Sequence, residues 1–295
     1  MASSSVSVLG MGRMGAAMAK TLSEAGFEVT VWNRSPDPAR TVADAIGANV
    51  AGTPREAAGV ADIVLTSLAD DGAVRAVYSG PDGIAAGIRP GTVVVEMSTI
   101  DPSVVDEIGS LVDAAGADLV DAPVSGSVQL VAQGKLTIMA GGDAQAIERA
   151  RRVLDALSAR LFHVGERGSG ATIKLAVNAL VHGINGALAE ALVLAEAAGV
   201  ERATAYEVFV AGAGGAPFVQ YKQAAYQDPD GAPVAFSLDL VAKDLDLITA
   251  LGERVGVEMP VSLANLALAR RAIEAGLGGR DMSALAVFLR DSAPR

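Results

Sequence analysis

The turn G-M-G-R-M-G at residues 10 to 15 constrains this chain more than any other stretch, because of what flanks it. Before it lies S-V-S-V-L, residues 5 to 9, a short apolar run of strand type; after it, residues 13 to 25 show helical periodicity, and F-E-V-T-V-W, residues 27 to 32, reads as a second strand. Strand, glycine turn, helix and strand within about 30 residues make a βαβ unit. The alternation then continues, with a helix expected near 37 to 47, a strand at 62 to 67, a helix near 70 to 78 and a strand at 92 to 96. A helix near 102 to 115 precedes strands at 118 to 122 and 136 to 140. Such alternation implies an α/β fold with a mostly parallel, doubly wound sheet and right-handed crossovers.

The pattern stops at G-E-R-G-S-G, residues 165 to 170, and no convincing strand follows. Residues 171 to 198 can form one helix, about 40 Å long at 1.5 Å per residue. Further helical patterns fall near 202 to 211, 217 to 226, 237 to 255, 260 to 275 and 282 to 290. The expected organisation is a dinucleotide-binding domain over 1–166, a long helix over 167–198 and an all-helical region over 199–295.

With 33 glycines in 295 residues, the three-glycine spacing alone decides little; its place between strand and helix decides more. Gly10, Gly12 and Gly15 permit a tight turn and the close approach of a pyrophosphate, whose charge then meets unsatisfied amides at a helix N-terminus. The loop as a whole, with Met11, Arg13 and Met14, is the first candidate cofactor segment. The second strand ends not on a carboxylate but on Asn33-Arg34-Ser35. A carboxylate there would repel a 2′-phosphate, whereas Arg34 can pair with one and its small polar neighbours can donate to it. NADP is therefore favoured, with NAD possible. The alternative is a solvated Arg34, competed for by Asp37.

Charge and composition exclude much else. The net charge is -11, without a basic run beyond Arg151-Arg152 or Arg270-Arg271, so a nucleic-acid surface is not expected. No cysteine is present, and the two histidines lie far apart in sequence, so neither a thiolate nucleophile nor a metal site is expected. The start M-A-S-S-S has none of the features of a signal peptide, which points to the cytoplasm. Residues 171 to 198 are apolar, but Lys174, Asn178, His182, Asn185, Glu190 and Glu196 speak for a buried helix of a soluble protein rather than a membrane span.

Lys174 and Asn178 lie four apart, so a helix puts them on one face, and His182 and Asn185 extend the stripe. The plain alternative is a lysine whose stem covers apolar surface while its ammonium reaches water. D-A-P-V-S-G, residues 121 to 126, ends a strand and delivers Ser125 and Gly126 into a turn able to hold a carboxylate, or merely capped by Asp121 and Ser125. L-D-L-V-A-K-D-L, residues 238 to 245, sets Lys243 and Asp244 on another apolar helix, where a local ion pair would explain them equally well.

Taken together, G-M-G-R-M-G, E-M-S-T at 96 to 99, D-A-P-V-S-G-S at 121 to 127, G-x-x-x-K-x-x-x-N at 170 to 178 and K-D-L at 243 to 245 resemble the β-hydroxyacid dehydrogenase family in order and spacing over nearly the whole chain. The resemblance implies an N-terminal Rossmann domain, a long connecting helix and an all-α C-terminal domain, assembled as dimers or tetramers through the helical part. It makes Lys174 the catalytic lysine, Asn178 its neighbour on the substrate, and Ser125 with Gly126 the carboxylate site. Thr99 and Lys243 would approach the nicotinamide half of the cofactor, Ser67-Leu68-Ala69 would pass along its phosphates and ribose, and Asp244 would order the site. The implied activity is hydride transfer between a nicotinamide and a carbonyl or hydroxyl near a carboxylate, on a small molecule. A protonated lysine suits it, neutralising and protonating the developing oxyanion in one direction and accepting the proton in the other.

Ser127 stands where the family pattern commonly has a second glycine. A-G-A-G-G-A-P-F, residues 211 to 218, is uncharged, and together with Val210 and Phe236 it suggests an apolar or larger substrate tail; tight helix packing explains the small residues as well. The rival enzyme is an imine reductase or reductive aminase of the same architecture, which generally replaces the lysine. A non-catalytic dinucleotide-binding module would have no use for Lys174, Asn178 and Ser125 together.

Overall fold

The computed structural model describes residues 5–292. Residues 1 to 4, on which the signal-peptide expectation rests, and residues 293 to 295 lie outside the described part. The chain divides into two compact units, Met1–Lys174 and Leu175–Arg295.

In the first unit, β1 (Ser5–Leu9), α1 (Arg13–Glu24) and β2 (Glu28–Trp32) form the βαβ unit, with β1 and β2 parallel and in register from Ser5↔Glu28 to Leu9↔Trp32. α2 (Pro36–Ile46), β3 (Asn49–Val50), α3 (Pro54–Val60) and β4 (Ile63–Thr66) follow, then α4 (Asp71–Tyr78), α5 (Ile84–Gly87), β5 (Val93–Glu96), α6 (Pro102–Ala114) and β6 (Asp118–Asp121). These six strands are parallel, in the order β3-β2-β1-β4-β5-β6. That is the doubly wound dinucleotide-binding order, and it puts the crevice at the carboxyl ends of the strands where the order reverses. Beyond β6 come β7 (Val124–Ser125), α7 (Val128–Ala132), β8 (Leu136–Gly141), α8 (Ala144–Leu157) and β9 (Ser158–Gly165). β8 runs antiparallel to β6 and β7 and parallel to β9.

Successive residues on one strand feed two different cores, as the two-residue period of a strand requires. Val8, Leu65, Val95 and Val120 pack with α1, α2 and α8, whereas Leu9, Val64, Val94 and Leu119 pack with α3, α4 and α6. Both faces are therefore covered, which explains why every residue of β4 and β5 is buried.

α9 (Ser169–Ala197) begins in the first unit and continues as a single helix of 29 residues into the second. By length and composition it passes the test for a membrane span, yet Asn178, His182 and Asn185 on it are buried in the protein. The second unit is completed by α10 (Arg202–Ala211), α11 (Pro217–Gln227), α12 (Leu238–Val255), α13 (Pro260–Ala272) and α14 (Ala284–Asp291). α13 is shorter than the sequence pattern suggests: it gives way to a π-type turn over Ile273–Leu277 that contains Gly276 at φ 87°, a non-helical conformation. Leu188, Leu192, Tyr206, Tyr226, Leu245, Leu266 and Phe288 are among the residues of its one core.

Candidate active site

The glycine turn is built for close backbone contact. Gly10 has φ 99°, and a side chain on it would run into the Ser67 carbonyl; one on Gly15 would run into the carbonyl of Gly10. Gly12 differs, because a Cβ there would meet nothing within 4 Å. It precedes α1 with no side-chain cap, so the first amides of the helix face open space. Two glycines thus close the turn from inside, and the third leaves the outside clear for an anion.

Asn33 braces this turn. Its Oδ1 accepts from the Met11 amide at 2.9 Å, while its Nδ2 donates to the Ser35 carbonyl at 2.9 Å. Ser35 precedes α2 without using its hydroxyl as a cap. Asp37 pairs with Arg40 at 3.2 Å, and the exposed Arg34 makes no ion pair among the described residues. Among the described residues, Arg34 and the Ser35 hydroxyl are donors at the end of β2, the one without an ion pair and the other without a capping bond, beside the turn that Asn33 braces.

The loops after β4 and β5 are tied to each other. The Leu68 amide donates to Ser98 Oγ at 2.7 Å, and the Ser98 amide donates to Glu96 Oε1 at 2.7 Å. Glu96 also accepts from Thr66 Oγ1 at 2.7 Å. Burial raises the Glu96 carboxyl against the pull of Ser98 and Thr66. Ser67, Leu68 and Ala69 on one loop and Thr99 on the next consequently flank the same crevice end of the sheet.

Ser125 is half-buried at the end of β7, opposite Thr137 of β8. Gly126 follows at φ 144°, where a Cβ would come within 2.8 Å of Leu136, so glycine is required. Ser127 precedes α7 and makes no side-chain cap, leaving its hydroxyl available. On α9, Lys174 is half-buried and closes the first unit.

In the second unit, Asn178 Nδ2 donates to Asp244 Oδ2 at 2.6 Å in the interior. The His182 ring lies 3.7 Å from the same oxygen, and Lys243 Nζ is 2.9 Å from Asp244 Oδ1. Lys243 thus makes the local ion pair. Burial alone would raise the Asp244 carboxyl; His182 and Lys243 outweigh it and hold it below the usual carboxylate range. Phe236 stacks obliquely on His182, ring centroids 5.9 Å apart. Its backbone amide is held by Asp281, which also accepts from the Ala235 and Ser283 amides and from buried Lys222. The sequence offered no local signal for that clamp, whose partners lie up to 59 residues apart.

Residues 5–165 match the family described as the NAD binding domain of 6-phosphogluconate dehydrogenase, and residues 168–289 that described as NAD-binding of NADP-dependent 3-hydroxyisobutyrate dehydrogenase. The chain belongs to the β-hydroxyacid dehydrogenase family. This makes it an NAD(P)-dependent oxidoreductase acting on CH–OH or C=O groups. It is 34% identical to an NAD-dependent L-serine dehydrogenase of Pseudomonas aeruginosa, over 94% of this chain and 95% of the other. It is equally 34% identical to glyoxylate/succinic semialdehyde reductase 1 of Arabidopsis thaliana, over 95% of this chain and 96% of the other. A 3-hydroxyisobutyrate dehydrogenase of Salmonella typhimurium superposes with a TM-score of 0.88 at 30% identity, covering 97% of this chain and 99% of that one. An imine reductase from Pseudomonas sp. fits less closely, with a TM-score of 0.64 at 25% identity over 97% and 100%.

Proposed function

We propose that this β-hydroxyacid dehydrogenase prefers NADPH and interconverts a small aldehyde acid and its hydroxyacid, with Lys174 as the proton donor and acceptor at the reacting oxygen. The observation that carries the reading is the set of donors at the end of β2: Arg34 exposed and without an ion pair among the described residues, Ser35 uncapped, and Asn33 already committed to bracing the glycine turn. The diphosphate would lie on the amides after Gly12, and the 2′-phosphate on Arg34 and Ser35.

The bound nicotinamide supplies or takes the hydride. Ser125 and the glycine-bent amides beyond it hold the substrate carboxylate, and Ser127 adds a hydroxyl that a glycine would not. Lys174 Nζ protonates the oxygen in reduction and takes the proton back in oxidation. Asn178, its amide committed to Asp244, presents its remaining carboxamide edge to the substrate, and Phe236 forms an apolar wall. Thr99 and Lys243 are the residues that would hold the nicotinamide half. Leu180, Leu194, Val261 and Leu263 are exposed apolar residues of the helical region, and they support a homodimer or homotetramer built through it. The protein is expected to work in the cytoplasm.

The test is NADPH and NADH consumption with glyoxylate, succinic semialdehyde, methylmalonate semialdehyde and cyclic imines, on wild type and Lys174→Ala. Aldehyde-acid turnover that falls by about 10²- to 10⁴-fold in the variant supports the reading. Imine turnover that survives the substitution, with no aldehyde-acid turnover in wild type, refutes it.

A further inference from the structure

The first turn of α9, which carries Lys174, is capped by a side chain far away in sequence. Helices usually cap their leading amides with a Ser, Thr, Asp or Asn at the N-terminal boundary. Here the boundary is Gly168, which has no side chain to offer, and the cap comes from Asp121 at the end of β6. Asp121 Oδ1 accepts from the Gly168 amide at 2.9 Å and Oδ2 from the Ala171 amide at 2.8 Å, each buried.

The fit around this carboxylate leaves no slack. A Cβ on Gly141, the β8 partner of Asp121, would lie 2.7 Å from Asp121 Oδ1 and 2.8 Å from the Gly170 amide. A side chain on Gly170 would run into the carbonyls of Asp121 and Met139. The end of β6, β8 and the start of α9 therefore meet backbone to backbone. Asp121 also opens the segment that reaches Ser125 four residues later, while Gly170 lies one helical turn before Lys174.

We propose that Asp121 is a positioning residue for Lys174: by holding the first turn of the lysine helix against the strand end that leads to Ser125, it fixes the proton donor relative to the carboxylate site. The proposal rests on the reading of Lys174 as that donor. A local cap would have given α9 the same stability without burying a charge. Burial is costly here, and it pushes the Asp121 carboxyl up to about 6 against the pull of the Ala171 and Gly168 amides. What the distant cap adds is a fixed position. A displacement of about 1 Å at a catalytic group costs on the order of 10²-fold in rate.

Asp121→Asn tests this. It keeps the size but turns an NH₂ toward one of two amides that both need an acceptor, so the first turn must shift. The experiment compares wild type, Asp121→Asn, Asp121→Glu and Lys174→Ala. It measures kcat and KM with the fastest aldehyde acid of the panel above, NADPH affinity by fluorescence titration, and the thermal transition. The expected result for Asp121→Asn is a folded protein with NADPH affinity within about twofold of wild type and KM little changed, but kcat lowered by about 10- to 100-fold. Asp121→Glu, which keeps the charge but lengthens the reach, should lose kcat likewise. A kcat within about twofold of wild type in Asp121→Asn overturns the positioning role, and leaves the lysine reading intact if Lys174→Ala is inactive. An active Lys174→Ala overturns both. If neither Asp121 variant folds, the residue is a structural cap and the proposal is overturned.

Discussion

Asn178 gives its side-chain amide to Asp244 across 2.6 Å in the interior of the helical unit, so one edge of the carboxamide is already engaged. The other edge carries an oxygen that accepts but does not donate from its own atom. In this arrangement Asp244, with Lys243 on its second oxygen, sets the orientation of the Asn178 carboxamide.

Asn178→Leu should accordingly destabilise the protein by about 1–3 kcal/mol, because a buried carboxylate loses a donor. Asn178→Asp should do so in a pH-dependent way. Two adjacent carboxyls share a proton, which raises one of their folded pKa values, so the variant loses stability as pH rises through that value. Thermal melts of both variants between pH 5 and 8 check this; a flat difference between Asn178→Asp and wild type contradicts it.

Two glycines of the turn, Gly15 and Gly12, should answer differently to one methyl group. Gly15→Ala drives a Cβ into the Gly10 carbonyl, and the variant should lose cofactor binding together with stability. Gly12→Ala has room in the free protein, so its melting temperature should stay close to wild type while NADPH affinity drops by about tenfold or more, the methyl standing where the diphosphate approaches. Calorimetric titration and thermal melts on both variants decide.

Removing the free guanidinium at the end of β2 should fall on one cofactor only. Arg34→Ala is expected to weaken NADPH by about 10- to 100-fold, the equivalent of a charge-assisted hydrogen bond of about 1.5–3 kcal/mol, and to leave NADH within about twofold. Equal effects on both cofactors would show that Arg34 does not meet a 2′-phosphate.

Asp121 makes the pH dependence of stability unusual. Its folded value, raised to about 6 by burial, lies above the ordinary 3.8, so the folded state holds the proton more tightly. For a carboxyl raised in this way, stability falls as pH rises from about 4 to 6 and is regained as pH falls. Arg167, held by Asp113 at 2.7 Å, is the charged neighbour whose field reaches it. The difference in melting temperature between wild type and Asp121→Asn should therefore move in favour of wild type on going from pH 7 to pH 4.5. A constant difference counts against the shift.

Much of the architecture was legible because its signals are local. The strands of the first βαβ unit, the turn between them and all five helices after α9 follow from periodicity and glycine placement. α8 was not legible: its buried face uses Ala146 and Ala150 beside Ile147, Val153 and Leu154, and small residues leave a faint apolar stripe. β7 has two residues and β9 is half exposed, so neither shows a strand pattern. The glycine turn was readable for the same local reason. The groups that brace it and the start of α9 were not, because Asn33 meets Met11 across 22 positions, and Asp121 meets Ala171 across 50, through contacts only the fold creates.

The brace at Asn33 also bears on redesign. The obvious route to an NADH-dependent enzyme is to write a carboxylate at the end of β2. An aspartate at position 33 could still accept from Met11 but could no longer donate to the Ser35 carbonyl, so the change would slacken the very turn it was meant to retune. Position 34 carries no such structural duty, and a coenzyme switch in this scaffold is best begun there.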